Sequence, residues 1–314
     1  MKRIYSIAVL LLFLLSLCGC RQKGPVYSGE KTGTTCANIT MGGGIFAYGN
    51  GFVYYCDAYK NIYEYDIESK KTVRLELENP SPMLSCNLFQ SQDYIFYGVG
   101  AIEYISKDGK EKGVLYTPEC GGCLQAFADG QDLFYIDCLD GNLYHGNLTT
   151  GEETTLARVI NGYYVDDDSI YAVAMEDGDA MQLFVSSRDE FRFTPVALSF
   201  QPIAVIADGD TLYLSKAGSW QIIKYQDGKE TEFPIQSWKY QILGDAIYYL
   251  DKNGFSNSCS PLKKYDMNTG EITLVCDTVF KFCILEGRYV CCEVWGDESG
   301  CYIIDLETGT KEKM

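Results

Sequence analysis

The chain has one histidine, His145, and that single imidazole limits the chemistry open to it. His-pair zinc motifs are excluded by counting, and a Ser-His-Asp or Cys-His device would have to use His145 itself. That residue sits in the run Leu143-Tyr144-His145-Gly146, far from any nucleophile-elbow pattern, so it is read as structural. Carboxylates crowd at Asp166-Asp167-Asp168 and at Glu176-Asp177-Gly178-Asp179. Oxygen clusters suit a hard cation such as calcium, but neither run has the full spacing of a calcium loop. Both read as solvated acidic surface, and no metal is assigned. Trp220, Trp238 and Trp295 remain as a candidate binding surface. An indole exposed in a loop can stack on a sugar or peptide, whereas one wedged between layers only packs.

Cysteine is used heavily, with 14 residues, and none falls between 139 and 258. An even number in an exported protein permits disulfides. Cys283 and Cys291 flank the turn at Glu286-Gly287 and are expected to face each other across two strands, as a candidate disulfide. Cys120-Gly121-Gly122-Cys123 is a CxxC pair, a candidate for redox or disulfide chemistry. Such a pair needs a depressed pKa to be reactive, and here no helix follows it and no second CxxC completes a four-sulfur site.

The elements that must position these residues repeat along the chain. An aromatic-aliphatic core recurs at Val53-Tyr54-Tyr55, Ile95-Phe96-Tyr97, Leu133-Phe134-Tyr135, Ile170-Tyr171-Ala172, Leu212-Tyr213-Leu214, Ile247-Tyr248-Tyr249 and Tyr289-Val290-Cys291. Its central residues are spaced by 42, 38, 37, 42, 35 and 42. A second strand-like run follows each core and ends in a polar turn such as Thr149-Thr150-Gly151, where glycine suits the left-handed residue of a hairpin. Units of this length and composition match four-stranded propeller blades. The expectation is an all-β, seven-bladed β-propeller of antiparallel blades over residues 41–314. Its ring is expected to close by the arm around Thr34 to Thr40 pairing with the last blade, hiding an open edge. In such a meander the tight first and third turns share one face, which leaves little room for a pocket. The longer middle loops and the blade-to-blade links share the other, and all three tryptophans map to that face or its rim.

The chain opens with Lys2 and Arg3, an aliphatic run from Ile7 to Leu17, and Leu17-Cys18-Gly19-Cys20. This has the layout of a secretory signal and resembles the lipobox of bacterial lipoproteins. The resemblance implies a lipoprotein signal peptide over 1–19, lipidation at Cys20, a flexible tether over 20–40 and a place on the outer side of a bacterial membrane. Tyr54-Tyr55-Cys56-Asp57, Phe134-Tyr135-Ile136-Asp137 and Tyr248-Tyr249-Leu250-Asp251 resemble the Tyr-Trp-Thr-Asp (YWTD) repeat of LDL-receptor-type propellers. Signal, lipobox and repeat together are similar to bacterial lipoproteins carrying a propeller domain of unknown function. Asp266-Met267-Asn268-Thr269-Gly270 and Asp305-Leu306-Glu307-Thr308-Gly309 resemble quinoprotein repeats, but without the docking Trp they read as turn chemistry, and no cofactor is assigned.

Lys plus Arg total 26 against 43 Asp plus Glu, a net charge of -17, and phosphate backbones would repel such a chain. Nucleic acid is therefore excluded as a partner. The expected function is a membrane-anchored, non-enzymatic binding or assembly module, a monomer whose loop-rich face meets a protein partner or extracellular ligand. The alternatives are a calcium-dependent propeller hydrolase or lyase, and a glycan-binding surface protein.

Overall fold

The computed structural model describes residues 32–57, 61–75, 87–119, 121–175, 180–251 and 259–314. The signal, Cys20, Cys120 and the cluster Glu176-Asp177-Gly178-Asp179 lie outside the described residues. Within them every regular element is a β-strand except one five-residue helix, Cys36–Thr40. The strands follow one another as antiparallel meanders in five sheets, three of four strands and two of seven.

The second strand of a meander is buried on both faces, as in Phe52–Cys56, Thr211–Lys216 and Ala246–Leu250. This is why it appears in the sequence as an unbroken apolar run rather than an alternating one. Outer strands are polar and exposed, as in Lys71–Leu75 and Lys311–Lys313, and charged side chains there discourage edge-to-edge pairing. Hairpin turns close through glycine in the left-handed region, for example Gly130 at φ 61° and Gly151 at φ 74°.

The apolar cores lie between neighbouring meanders. Phe89, Phe96 and Ile102 share a cluster with Ala126, Leu133 and Tyr135; Ala204, Ile206 and Tyr213 share another with Tyr240, Ile247 and Tyr249. The last such core joins the two ends of the array. Cys283, Leu285, Cys291 and Ile303 pack against Phe46, Tyr54 and Tyr65. Across the same seam the Tyr65 hydroxyl donates to Glu312 at 3.0 Å and Lys70 pairs with that carboxylate. The meanders therefore form a closed ring.

Three expectations need correction. Among the described residues the blades are not all separate sheets: Glu153–Val165 and Ile272–Leu285 each run on from the outer edge of one meander into the next, fusing two meanders into one sheet. Residues 32–40, assigned to a flexible tether, are packed: Cys36 is 2% exposed and Ile39 1%. Nor does this arm add a strand to the last sheet, whose outer position is filled by Lys311–Lys313. Thr35 caps the helix by accepting from the Asn38 amide at 3.2 Å, and the helix lies across the axis of the ring. Asn38 there acts like one more peptide unit. Its side-chain amide donates to the Ile284 carbonyl at 2.8 Å, and its side-chain oxygen accepts from the Ile284 amide at 2.9 Å. On the other side the Cys36 sulfur accepts from the Val165 amide at 3.3 Å, and burial pushes that thiol up to about 12. The helix is a plug bonded to inner strands on opposite sides of the channel.

Candidate functional site

The plug divides the channel into two cavities of opposite charge. At the tight-turn face a cavity of about 670 Å³ is lined by Ala37 and Asn38 of the plug and by Asp129, Asp208 and Glu286. This corrects the expectation that tight turns leave little room: the space comes from the bore of the ring, not from loop length. At the loop face a cavity of about 550 Å³ lies over Ile39, Thr40 and Met41 and is lined by Gln125, Trp238, Lys239 and Lys281.

The loop-face residues are positioned by defects in the inner strands. The pairing of Cys123–Asp129 with Asp132–Asp137 slips between Phe134 and Ile136, and that of Ile272–Leu285 with Tyr289–Val294 slips between Val279 and Lys281. Bulges of this kind re-aim side chains. Gln125 takes φ 49° at the first slip, and its buried side-chain oxygen has no hydrogen-bond partner among the described residues. The second slip leaves Phe280 unpaired in the ladder. Ser237, fully buried, orders the Trp238-Lys239 link: its hydroxyl reaches the carbonyls of Lys239 and Leu250 at 2.8 Å each.

An aromatic and cationic arc results. Trp220 and Trp238 lie 6.5 Å apart between ring centroids, and the Lys239 ammonium sits 4.9 Å from the Trp238 centroid and 5.5 Å from that of Phe280. Lys281 approaches the same Phe280 ring at 5.4 Å, and Phe280 packs on Trp295 at 4.7 Å. Burial, and secondarily the charge of Lys281, hold Lys239 down to about 8. Trp238 and Trp295 are each 43% exposed. The three tryptophans thus belong to one arc, with Trp220 and Trp238 in direct contact and Trp295 joined through Phe280. Trp295 also lines a groove of about 650 Å³ at the seam, beside Asp57 and Glu293.

The other sequence candidates are placed as follows. Cys283 and Cys291 are register partners, fully buried, and both are thiols. Cys123 begins an inner strand as a buried thiol raised by burial. His145 is 2.7 Å from Asp132 and lies between Phe134 and Phe191, a structural setting. Asp166 accepts from the Asp168 and Ser169 amides, closing a turn. The YWTD-like aspartates hold loops: Asp57 accepts from Asn61 and Tyr63, Asp137 from Gly122, Leu139 and Asp140, and Asp251 pairs with Lys263.

Lys239, Phe280, Lys281 and Gln125 were not singled out from sequence. A signal for the first three exists. Trp238-Lys239-Tyr240-Gln241-Ile242-Leu243 and Phe280-Lys281-Phe282-Cys283-Ile284-Leu285 align at 42 residues, one repeat apart, and put an aromatic-lysine pair at the same place in successive units. Gln125 has no such signal, because its orientation depends on the bulge.

No protein-family model and no curated protein matches the chain. Solved structures do. An oligogalacturonate lyase from Vibrio parahaemolyticus aligns over 90% of this chain and 91% of its own, with TM-score 0.57 and 14% identity. A puromycin-hydrolyzing peptidase from Mycobacterium tuberculosis aligns over 91% of this chain with TM-score 0.60 and 12% identity. The chain spans only 56% of that peptidase. A chain of a nidogen/laminin complex aligns over 71% of this chain and 91% of its own, with TM-score 0.50 and 14% identity. The fold is that of a β-propeller. Identities this low establish the fold alone. They also correct the non-enzymatic expectation, because a lyase and a peptidase share the propeller and the architecture does not exclude catalysis.

Proposed function

We propose that this propeller binds a carboxylated saccharide at its loop-face mouth. The observation that carries the reading is the convergence of two lysines and an exposed indole on one cavity. Lys239 and Lys281 complement carboxylates, and Trp238 offers a face for a sugar ring. A site of about 550 Å³ falls in the usual range for small ligands. Titration with oligogalacturonate, read by tryptophan fluorescence, should give a saturable change that the Lys239→Gln/Lys281→Gln double variant loses. Saturation by an acidic peptide but not by the saccharide would replace the ligand class, and no response to either would sink the site.

A catalytic use of the same mouth is favoured by one observation. A lysine held near 8 has a sizeable neutral fraction at physiological pH and can accept a proton. Product analysis after prolonged incubation separates binding from turnover.

We further propose that the ring has seven blades, each seven-stranded sheet being two blades that share a strand. The slips in Glu153–Val165, between Val159 and Gly162, and in Ile272–Leu285 support this, since each falls where one blade would pass to the next. The extracytoplasmic location and the anchor at Cys20 are part of the same reading. Cys20→Ala is expected to release the protein from membranes as unprocessed precursor, and retention of mature-sized protein would overturn the anchor.

A further inference from the structure

Cys276 and Cys292 bring their sulfurs to 4.0 Å. They come from neighbouring meanders. Cys276 lies in the outer half of Ile272–Leu285, opposite Leu262, whereas Cys292 lies in Tyr289–Val294, opposite Phe282 and Tyr302. Both pack in one apolar cluster with Val279 and Tyr302. Cys276 is 4% exposed and Cys292 wholly buried. Lys311, on the last strand, places its ammonium 4.6 Å from the Tyr302 ring centroid, and its charge acts on the Cys276 thiol.

We propose that Cys276 and Cys292 are a redox-active dithiol, which small hydroperoxides oxidise to a disulfide between the last two meanders. The attacking group is Cys276. A hydrogen bond from Cys292 and the charge of Lys311 hold its thiol below the ordinary value despite burial, while Cys292 is pushed up. A nucleophilic thiolate beside a cation and a resolving thiol is the arrangement such chemistry requires. Cys283 and Cys291, which are opposed across strands, are instead both raised by burial. Hydroperoxides are the fitting class because a thiol this enclosed admits a reagent near the size of water and not a bulky disulfide.

In the first step the Cys276 thiolate attacks one peroxide oxygen. A sulfur-oxygen bond forms, the oxygen-oxygen bond breaks, and the leaving alkoxide or hydroxide takes a proton from Lys311. Lys311 regains a proton from solvent, where the Cys276 proton had gone on ionisation. The Cys292 sulfur then attacks the sulfenic sulfur; the sulfur-sulfur bond forms, the sulfur-oxygen bond breaks, and hydroxide leaves with the Cys292 proton as water. Two thiols lose two electrons and the peroxide gains them. The sulfurs must close from 4.0 Å to about 2.05 Å.

The test treats the full chain with near-stoichiometric hydrogen peroxide, followed by non-reducing digestion and mass spectrometry. The expected product is a Cys276–Cys292 cross-linked peptide, formed before oxidation of the exposed Cys138, which serves as reference thiol. Lys311→Gln should slow the cross-link about tenfold, with Lys311→Arg restoring it. Cys292→Ala should leave Cys276 as a sulfenic acid that a dimedone probe labels. Oxidation of Cys138 with the pair still reduced, or a wild-type rate in Lys311→Gln, would overturn the proposal.

Discussion

Replacing Asn38 with Leu is expected to lower the free energy of unfolding by about 2–4 kcal/mol. The two side chains share a branched skeleton of the same heavy-atom count, so the change chiefly removes hydrogen bonding. Asn38 is wholly buried and gives the Ile284 carbonyl a donor at 2.8 Å and the Ile284 amide an acceptor at 2.9 Å. The amide keeps a second acceptor in Gln241 at 3.1 Å, so the carbonyl suffers most. A buried polar group left without a partner costs about 1–3 kcal/mol, and loosening of the plug adds to it. Urea denaturation should show a lower midpoint at unchanged slope. A change below about 0.5 kcal/mol would mean that the helix is a passenger in the bore and not a structural member.

Lys239→Met should act in the opposite direction, stabilising the protein by about 1–3 kcal/mol at pH 7 after allowance for partial exposure. In the fold this lysine titrates near 8 instead of the ordinary 10.5. Between those values the unfolded chain holds a proton that the folded chain has lost, so wild-type stability rises with pH across that window. Below pH 8 both states are charged and the whole burial penalty is present; above 10.5 it has gone. Melting temperatures of wild type and variant, compared from pH 6 to 11, should therefore converge as the pH rises. A Met variant that is less stable at pH 7, or a gap that ignores pH, would show that the Trp238 and Phe280 rings compensate the charge fully. The substitution also removes one of the two ammonium groups offered to a carboxylate. A gain in stability with a loss of binding is the expected trade at a site that keeps a charge out of water.

The repeat was legible because strands buried on both faces leave uninterrupted runs, and Val53-Tyr54-Tyr55 or Ile247-Tyr248-Tyr249 cannot easily be anything else. The side of the ring carrying the tryptophans was legible for a similar reason, since meander topology assigns each loop to a face. The plug was not. Five residues of helix carry no usable periodicity, and Asn38 makes sense only beside Ile284, which folding alone brings near. Blade boundaries were blurred where one strand serves two meanders, because Asn161-Gly162 within Glu153–Val165 marks a register slip in a continuous strand and not a turn. The Cys276–Cys292 contact was hidden by the same long-range logic. The sequence drew attention to Cys283 and Cys291 across a turn, while the sulfurs 4.0 Å apart join two neighbouring meanders.

Asn38 bonds to a residue 246 positions further along the chain. A ribosome adding about 5–20 residues per second needs roughly 10–50 s to reach that partner. Throughout that interval the first strands can zip locally, each meander onto the last, but the segment that fills the bore can hold only on its Val165 side. Its long-range contacts are of the kind that slow the final stage of folding. Maturation of the molecule thus finishes when the last meander reaches back to a plug that was made early.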